Sequence, residues 1–190
     1  MRIEVVIGNI TRQPDAQAVV NSANANLRLG SGVAGAIHTA AGPELEACCR
    51  AYAPLALGAA VITPGLGLPN PWVIHVRAPH FLNDNEAEAT YAQAITAMMD
   101  TIRASGIESV AIPAIGTGVF RFAPVLAASI MARITNAAER DTPALRWART
   151  CVVNAEMQAV YATAFQRASE NDLSNGEATP APSGSGGRSL

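Results

Sequence analysis

The sequence predicts an α/β fold, a three-layer α/β/α sandwich built on six strands, and three observations predict it. Short β-branched runs alternate with helical stripes, several of those runs are apolar on both faces, and two glycine-rich loops each stand before a helix-forming stretch. Strands are expected at residues 2–7, 18–21, 59–63, 72–76, 109–113 and 147–153, each bounded by turn-forming residues. Between them, Ile95, Met98, Met99 and Ile102 recur at helical spacing, as do Leu126, Ile130 and Ile134, and later Met157, Val160, Tyr161 and Ala164. These stripes read as the faces by which helices attach to the sheet. In such an architecture ligands bind beyond the carboxyl ends of the strands, so the loops at those ends are where chemistry is sought.

Composition narrows the function. A chain of 190 residues, 49% hydrophobic, is enough for one buried core. Residues 1–169 are expected to form that domain. From Asn171 onward apolar residues give way to Pro, Gly and Ser, so residues 170–190 are expected to be a disordered tail. The net charge of −2 argues against a protein that holds nucleic acid by phosphate neutralisation. All 13 basic residues are arginine, which removes lysine Schiff-base chemistry and lysine phosphate clamps. An anion must then be held by backbone amides, arginine or neutral polar groups.

Cys48, Cys49 and Cys151 are odd in number and fit neither a disulfide framework nor a C-x-x-C metal pattern. The first residues, MRIEVVIGNI, are interrupted too soon for a signal peptide, and no apolar run reaches membrane-spanning length. A cytoplasmic protein with no membrane partner is expected.

The first loop, Leu29-Gly30-Ser31-Gly32-Val33-Ala34-Gly35, leads into an alanine-rich helical stretch containing His38. Glycines let the backbone turn tightly and expose N–H groups, and a helix N-terminus adds partial positive charge; both suit a phosphate oxygen. The loop is neither a G-x-G-x-x-G fingerprint nor a P-loop. The second loop, Gly116-Thr117-Gly118-Val119-Phe120, follows an expected strand and precedes a helix that Pro124 opens. Two such loops can flank two phosphates, or they are two ordinary tight turns. Upstream of the first, Asn21-Ser22-Ala23-Asn24 follows a strand. Its asparagines suit ribose hydroxyls or a positioned water, and equally a capping and turn cluster. His38 and His75 read as structural; His80, in the loop after the strand at 72–76, stands where a ligand is within reach. The acidic run Asp84-Asn85-Glu86-Ala87-Glu88 reads as a solvated helix start.

The order of these pieces is more specific than any of them. GNIT at 8–11, VVNSAN at 19–24, GSGVAGAIHTAAG at 30–42, GAAVITPGLGLP at 58–69, VIH at 73–75 and GTGVF at 116–120 together resemble the macro domain family over residues 1–167. The resemblance implies a mixed six-stranded sheet and ADP-ribose, free or on mono-ADP-ribosylated proteins, as the ligand of a monomer that needs no metal and no cofactor. It places Asn9 and Ile10 by the adenine, Asn21, Ala23 and Asn24 by the distal ribose with Asn24 as the catalytic residue, and Gly30, Ser31, Gly32, Val33 and Ala34 around the diphosphate. Gly116, Thr117, Gly118 and Val119 complete the diphosphate cradle, and Phe120 packs against the distal ribose.

Three departures qualify that picture. Asn9 stands where family members usually hold an aspartate against the adenine amino group, and Val152-Val153-Asn154 offers no aromatic platform. Ala34 stands where deacetylase and de-ADP-ribosylase members carry an aspartate, and alanine cannot act as a base. Viral members with the same G-V-A-G-A segment include hydrolases, so the resemblance implies two alternatives: a hydrolase of ADP-ribose esters such as O-acetyl-ADP-ribose or mono-ADP-ribosylated protein, and a reader that binds without turnover.

Overall fold

A computed structural model of the chain describes residues 1–176. Six strands, β1 (Arg2–Ile7), β2 (Ala18–Ser22), β3 (Ala60–Pro64), β4 (Trp72–Val76), β5 (Ser109–Pro113) and β6 (Trp147–Val152), form one sheet in the order β1-β6-β5-β2-β4-β3. Every neighbouring pair is parallel except β3 with β4, so the sheet is mixed and only its edge strand runs backwards. The strands lie within a residue of the expected ranges.

Helices α3 (Ala87–Ala104), α4 (Pro124–Ala137) and α5 (Ala155–Gly176) cover one face, and α1 (Gly32–Ala41) with α2 (Glu44–Cys49) covers the other. The helical stripes do what their period requires: Ile95, Met98, Met99 and Ile102 are buried against Ile74, Val110 and Ile112 of the sheet. Pro124 is the first residue of α4, where its missing N–H costs nothing. Helix α2 has no long stripe to announce it; Leu45 and Cys49, one turn apart, are its buried residues. The acidic run is only partly a helix start, because α3 begins at Ala87 while Asp84 turns back to accept the His80 N–H at 2.7 Å.

The expected tail is corrected at its beginning. Helix α5 continues through Asn171 and Asp172 to Gly176, because extending a helix already docked through Tyr161 and Phe165 takes far less than nucleating one. The rest of that tail, residues 177–190, lies outside the described residues. No helix among the described residues is long and apolar enough to cross a membrane, and all three cysteines are free.

Under α1 and α2 the sheet buries a polar chain. Asn21 Nδ2 donates to His75 Nδ1 at 3.1 Å, and His75 Nε2 lies 2.9 Å from Thr63 Oγ1. The Thr63 hydroxyl donates to the Pro64 carbonyl, so it accepts from His75, and the imidazole is neutral with its proton on Nε2. Burial, reinforced by His38 nearby, pushes the His75 pKa down to about 3. The unfolded chain therefore takes up a proton that the folded one refuses. This part of the stability is complete above about pH 6.5 and is lost as the pH falls towards 3, at up to about 1.4 kcal/mol per pH unit. His75→Asn, which keeps an acceptor for Asn21 and removes the titration, should be less stable at pH 7. Denaturant unfolding should show it losing about 3 kcal/mol less than the native chain between pH 7 and pH 4.

Candidate functional site

Because β1, β6, β5, β2 and β4 run the same way, their carboxyl ends share one rim. Read across the sheet, that rim carries Asn9 after β1, Val153 after β6, the loop 116–120 after β5, Asn24 and the loop 30–35 after β2, and His80 after β4. Segments far apart in sequence thus form one continuous edge.

The first glycine loop is held by side chains from both sides. Asn24 Oδ1 accepts the Arg28 N–H at 3.1 Å while Nδ2 donates to the Arg28 carbonyl at 2.8 Å, closing residues 24–28 into a ring. Leu27 adopts a left-handed backbone and is buried in the core beneath. Glu46, from α2, accepts the Leu29 N–H at 2.8 Å. The chain then presses onto the first turn of α1. A Cβ on Gly35 would lie 2.4 Å from the Gly30 carbonyl oxygen, so glycine alone lets the loop lie this close. Ser31 caps α1 without a side-chain bond, leaving the N–H groups of Gly32, Val33 and Ala34 for an external acceptor at the positive end of the helix.

The second loop is fixed by packing. Gly116 has φ +80°, and a Cβ there would lie 2.9 Å from the ring of Tyr91, itself fully buried and donating its hydroxyl to the Ile115 carbonyl at 2.9 Å. Phe122 stacks beside Tyr91 with centroids 4.6 Å apart, and the Phe122 N–H returns to the Gly116 carbonyl at 3.0 Å. Thr117 Oγ1 donates to Ala114 at 2.8 Å, and the Phe81 N–H donates to the Phe120 carbonyl at 2.8 Å. Gly118, Val119 and Phe120 give their own N–H groups to no acceptor among the described residues. Two sets of three unpaired amides therefore stand on the rim after β2 and β5, which are neighbours in the sheet.

At the far end of the rim, the loop after β1 is anchored through Arg149. Its guanidinium forks onto Asp15 at 2.8 Å through both Nη1 and Nη2, donates from Nε to Glu4 at 2.8 Å, and gives Nη1 to Gln13 Oε1 at 3.0 Å. That guanidinium also holds the Asp15 carboxyl below its ordinary range. Gln13 in turn donates to the Asn9 carbonyl at 2.9 Å. Val153, next to this loop, is 82% exposed and supplies an apolar face where no aromatic stands. Asn154 is the cap of α5, accepting the Met157 N–H at 2.9 Å.

Of the residues singled out from sequence, Asn9, Asn24, Gly30, Ser31, Gly32, Val33, Thr117, Gly118, Val119 and Phe120 lie on this edge with some surface exposed, while Gly116 is buried beneath it against Tyr91 and Phe122. Ile10 and Ala34 are on it through their backbones, their side chains being buried. Asn21 and Ala23 are not presented. Asn21 is inside β2 bonded to His75, and the Ala23 N–H is taken by the Val76 carbonyl at 2.9 Å. The alternation of side chains along β2 turns Asn21 under the sheet, and the capping-cluster reading of VVNSAN therefore describes part of it. His80 closes its own turn, with Nδ1 accepting the Leu82 N–H at 3.3 Å. Sequence reasoning missed Tyr91, Phe122, Glu46, Gln13 and Arg149; only the F-x-F spacing of Phe120 and Phe122 hinted at an aromatic prop. A surface groove of about 760 Å³ between α4 and α5 lies away from this edge.

Comparison with known proteins agrees with this geometry. A family model described as macro domain matches residues 20–131, more than half of the chain and inclusive of both glycine loops. A macro domain-containing protein of Ralstonia nicotianae is 38% identical over 152 residues, 80% of this chain and 87% of its own length. An O-acetyl-ADP-ribose deacetylase of Cronobacter turicensis is 42% identical over 135 residues, 68% of this chain and 76% of its own. Among solved structures, the Oceanobacillus iheyensis macrodomain with ADP matches with a TM-score of 0.83 at 26% identity, covering 89% of this chain and 92% of that one. With the parallel rim, its paired amide loops and relatives matched over most of their length, the chain belongs to the macro domain family.

Proposed function

We propose that this protein binds ADP-ribose along the rim and hydrolyses ADP-ribose esters, with O-acetyl-ADP-ribose and mono-ADP-ribosylated carboxylates as the substrate class. The observation that carries the reading is the pair of unpaired-amide loops flanking Asn24. A diphosphate dianion accepts N–H groups from Gly32, Val33 and Ala34 on one side and from Gly118, Val119 and Phe120 on the other, with no cation required from the side chains. In this reading the base lies toward Asn9, Ile10 and Val153, as the family resemblance implies, and the distal ribose toward Asn24 and Phe120. The deacetylase name of the Cronobacter relative and the ADP held by the Oceanobacillus macrodomain support this assignment.

Water is the second substrate, and hydrolysis of the ester releases ADP-ribose and the acid. Asn24 spends one hydrogen and one lone pair on Arg28, which leaves it one of each for a ribose hydroxyl or a water. It acts as a positioning group and not as a base. The absence of a carboxylate at Ala34 favours a second reading, a reader of mono-ADP-ribosylated proteins that does not turn them over.

Two measurements test these readings. Gly35→Ala drives a methyl group into the Gly30 carbonyl and displaces the first loop, so calorimetry should show ADP-ribose affinity falling at least about tenfold. ADP-ribose that fails to bind the native protein at millimolar concentration would exclude the site altogether. With a glutamate-linked ADP-ribosylated substrate, the native protein should release ADP-ribose on the order of a hundredfold faster than Asn24→Ala, the scale of one lost transition-state hydrogen bond. Equal release, with native binding intact, leaves the reader.

A further inference from the structure

We propose that the base end of the site selects a 6-oxopurine, hypoxanthine or guanine, over adenine, and that Asn9 is the residue that sets this choice. The inference rests on the diphosphate-ribose reading given above and changes which base it carries. Asn9 Oδ1 accepts the Thr11 N–H at 2.9 Å and is also 2.9 Å from Thr11 Oγ1. A backbone N–H can only donate, so the amide oxygen must face Thr11 and the amide nitrogen must face away. Turning the amide over would set its NH₂ against that N–H and forfeit that bond, since the Thr11 hydroxyl accepts as well as donates but the N–H does not.

The loop does not give way either. The Asn9 carbonyl accepts the Arg12 N–H at 3.0 Å and Gln13 Nε2 at 2.9 Å, and Gln13 is bound to Arg149, itself forked onto Asp15. Asn9 is exposed, and neither its Nδ2 nor the N–H of Ile10, the next residue in the chain, has a partner among the described residues. At Asn9 and Ile10 the base end therefore offers two donors.

Adenine answers this poorly. On each edge its 6-amino group is a donor beside a single ring acceptor, so one of the two protein donors meets another donor. A 6-oxopurine places O6 and N7 side by side as acceptors, one for each N–H. An aspartate in the same turn would keep one oxygen on Thr11 and present the other to an amino group. Replacing one carboxylate oxygen by an amide nitrogen thus reverses the polarity read at this position without altering the fold of the loop.

The test is a calorimetric comparison of ADP-ribose, inosine diphosphate ribose and guanosine diphosphate ribose on the native protein and on Asn9→Asp. We expect the native protein to bind at least one 6-oxopurine ligand about fivefold or more tightly than ADP-ribose, and Asn9→Asp to favour ADP-ribose. Binding of both 6-oxopurine ligands within fivefold of ADP-ribose or more weakly, or a ratio unmoved by Asn9→Asp, overturns the base assignment while leaving the diphosphate site standing. No binding of any of the three overturns the diphosphate-ribose reading itself.

Discussion

The parallel direction of five strands is the constraint on which this molecule's chemistry depends. A parallel strand must return through a crossover, so every one of the five hands its chain to a loop at the same rim. At β2 and β5, neighbours in the middle of the sheet, those loops end in backbone amides without acceptors. The unpaired groups are exposed, where water satisfies them, and they become useful only because two rigid props hold them still. On one side Asn24 and Glu46 tie the loop before α1; on the other Tyr91 and Phe122 fill the space under Gly116. Anion binding of this kind draws on positions of the main chain, and the main chain is placed by half-exposed side chains, Asn24 and Glu46, on one side and by buried ones, Tyr91 and Phe122, on the other.

That division explains what was readable in the sequence. The alternation of strands and stripes is local and periodic, and it located all six strands and three of the five helices. The glycine loops were readable because a close approach such as Gly35 on the Gly30 carbonyl admits no other residue. The props were not readable. Tyr91 lies in the second turn of α3 and looks like any core aromatic, and Arg149 meets Asp15 and Gln13 across more than 130 residues of chain. Nothing in a one-dimensional pattern connects Arg149 to Asn9. Asn21 shows the opposite failure, a motif position that looked functional and that the pleat of β2 turns inward to His75.

The buried chain through Asn21, His75 and Thr63 belongs to the same scheme. It lies directly beneath α1 and α2, the helices that carry the first loop and its Glu46 tether, and Cys49 of α2 packs 3.7 Å from the imidazole. A neutral histidine there holds β2, β4 and β3 in register through directional bonds where an apolar core would only fill volume. Protonation of His75 would place an unpaired charge under the anion site. The depressed pKa is thus part of what keeps the loop's foundation in one arrangement.

Two positions where the family resemblance leads one to expect a carboxylate, Asn9 and Ala34, have lost it here, and the chain has no lysine to take over anion binding. The two losses act in one direction. From Asn9 Nδ2 and the Ile10 N–H at one end, through the amides of 32–34 and 118–120, the rim presents hydrogen-bond donors, and its neutral polar side chains add no negative charge. A carboxylate near a diphosphate raises the free energy of the bound dianion, so removing both lowers that repulsion while also removing the groups that would recognise an amino function or serve as a base. In the proposed complex, selectivity on such a surface follows the acceptors of the ligand: phosphate oxygens at the centre, ribose hydroxyl oxygens beside Asn24, and carbonyl or ring nitrogen acceptors on the base. Binding and the proposed catalysis are separated by the same substitutions, since amides that stabilise an anion need no carboxylate, whereas in the proposed hydrolysis activation of water relies on Asn24 and the phosphates of the ligand.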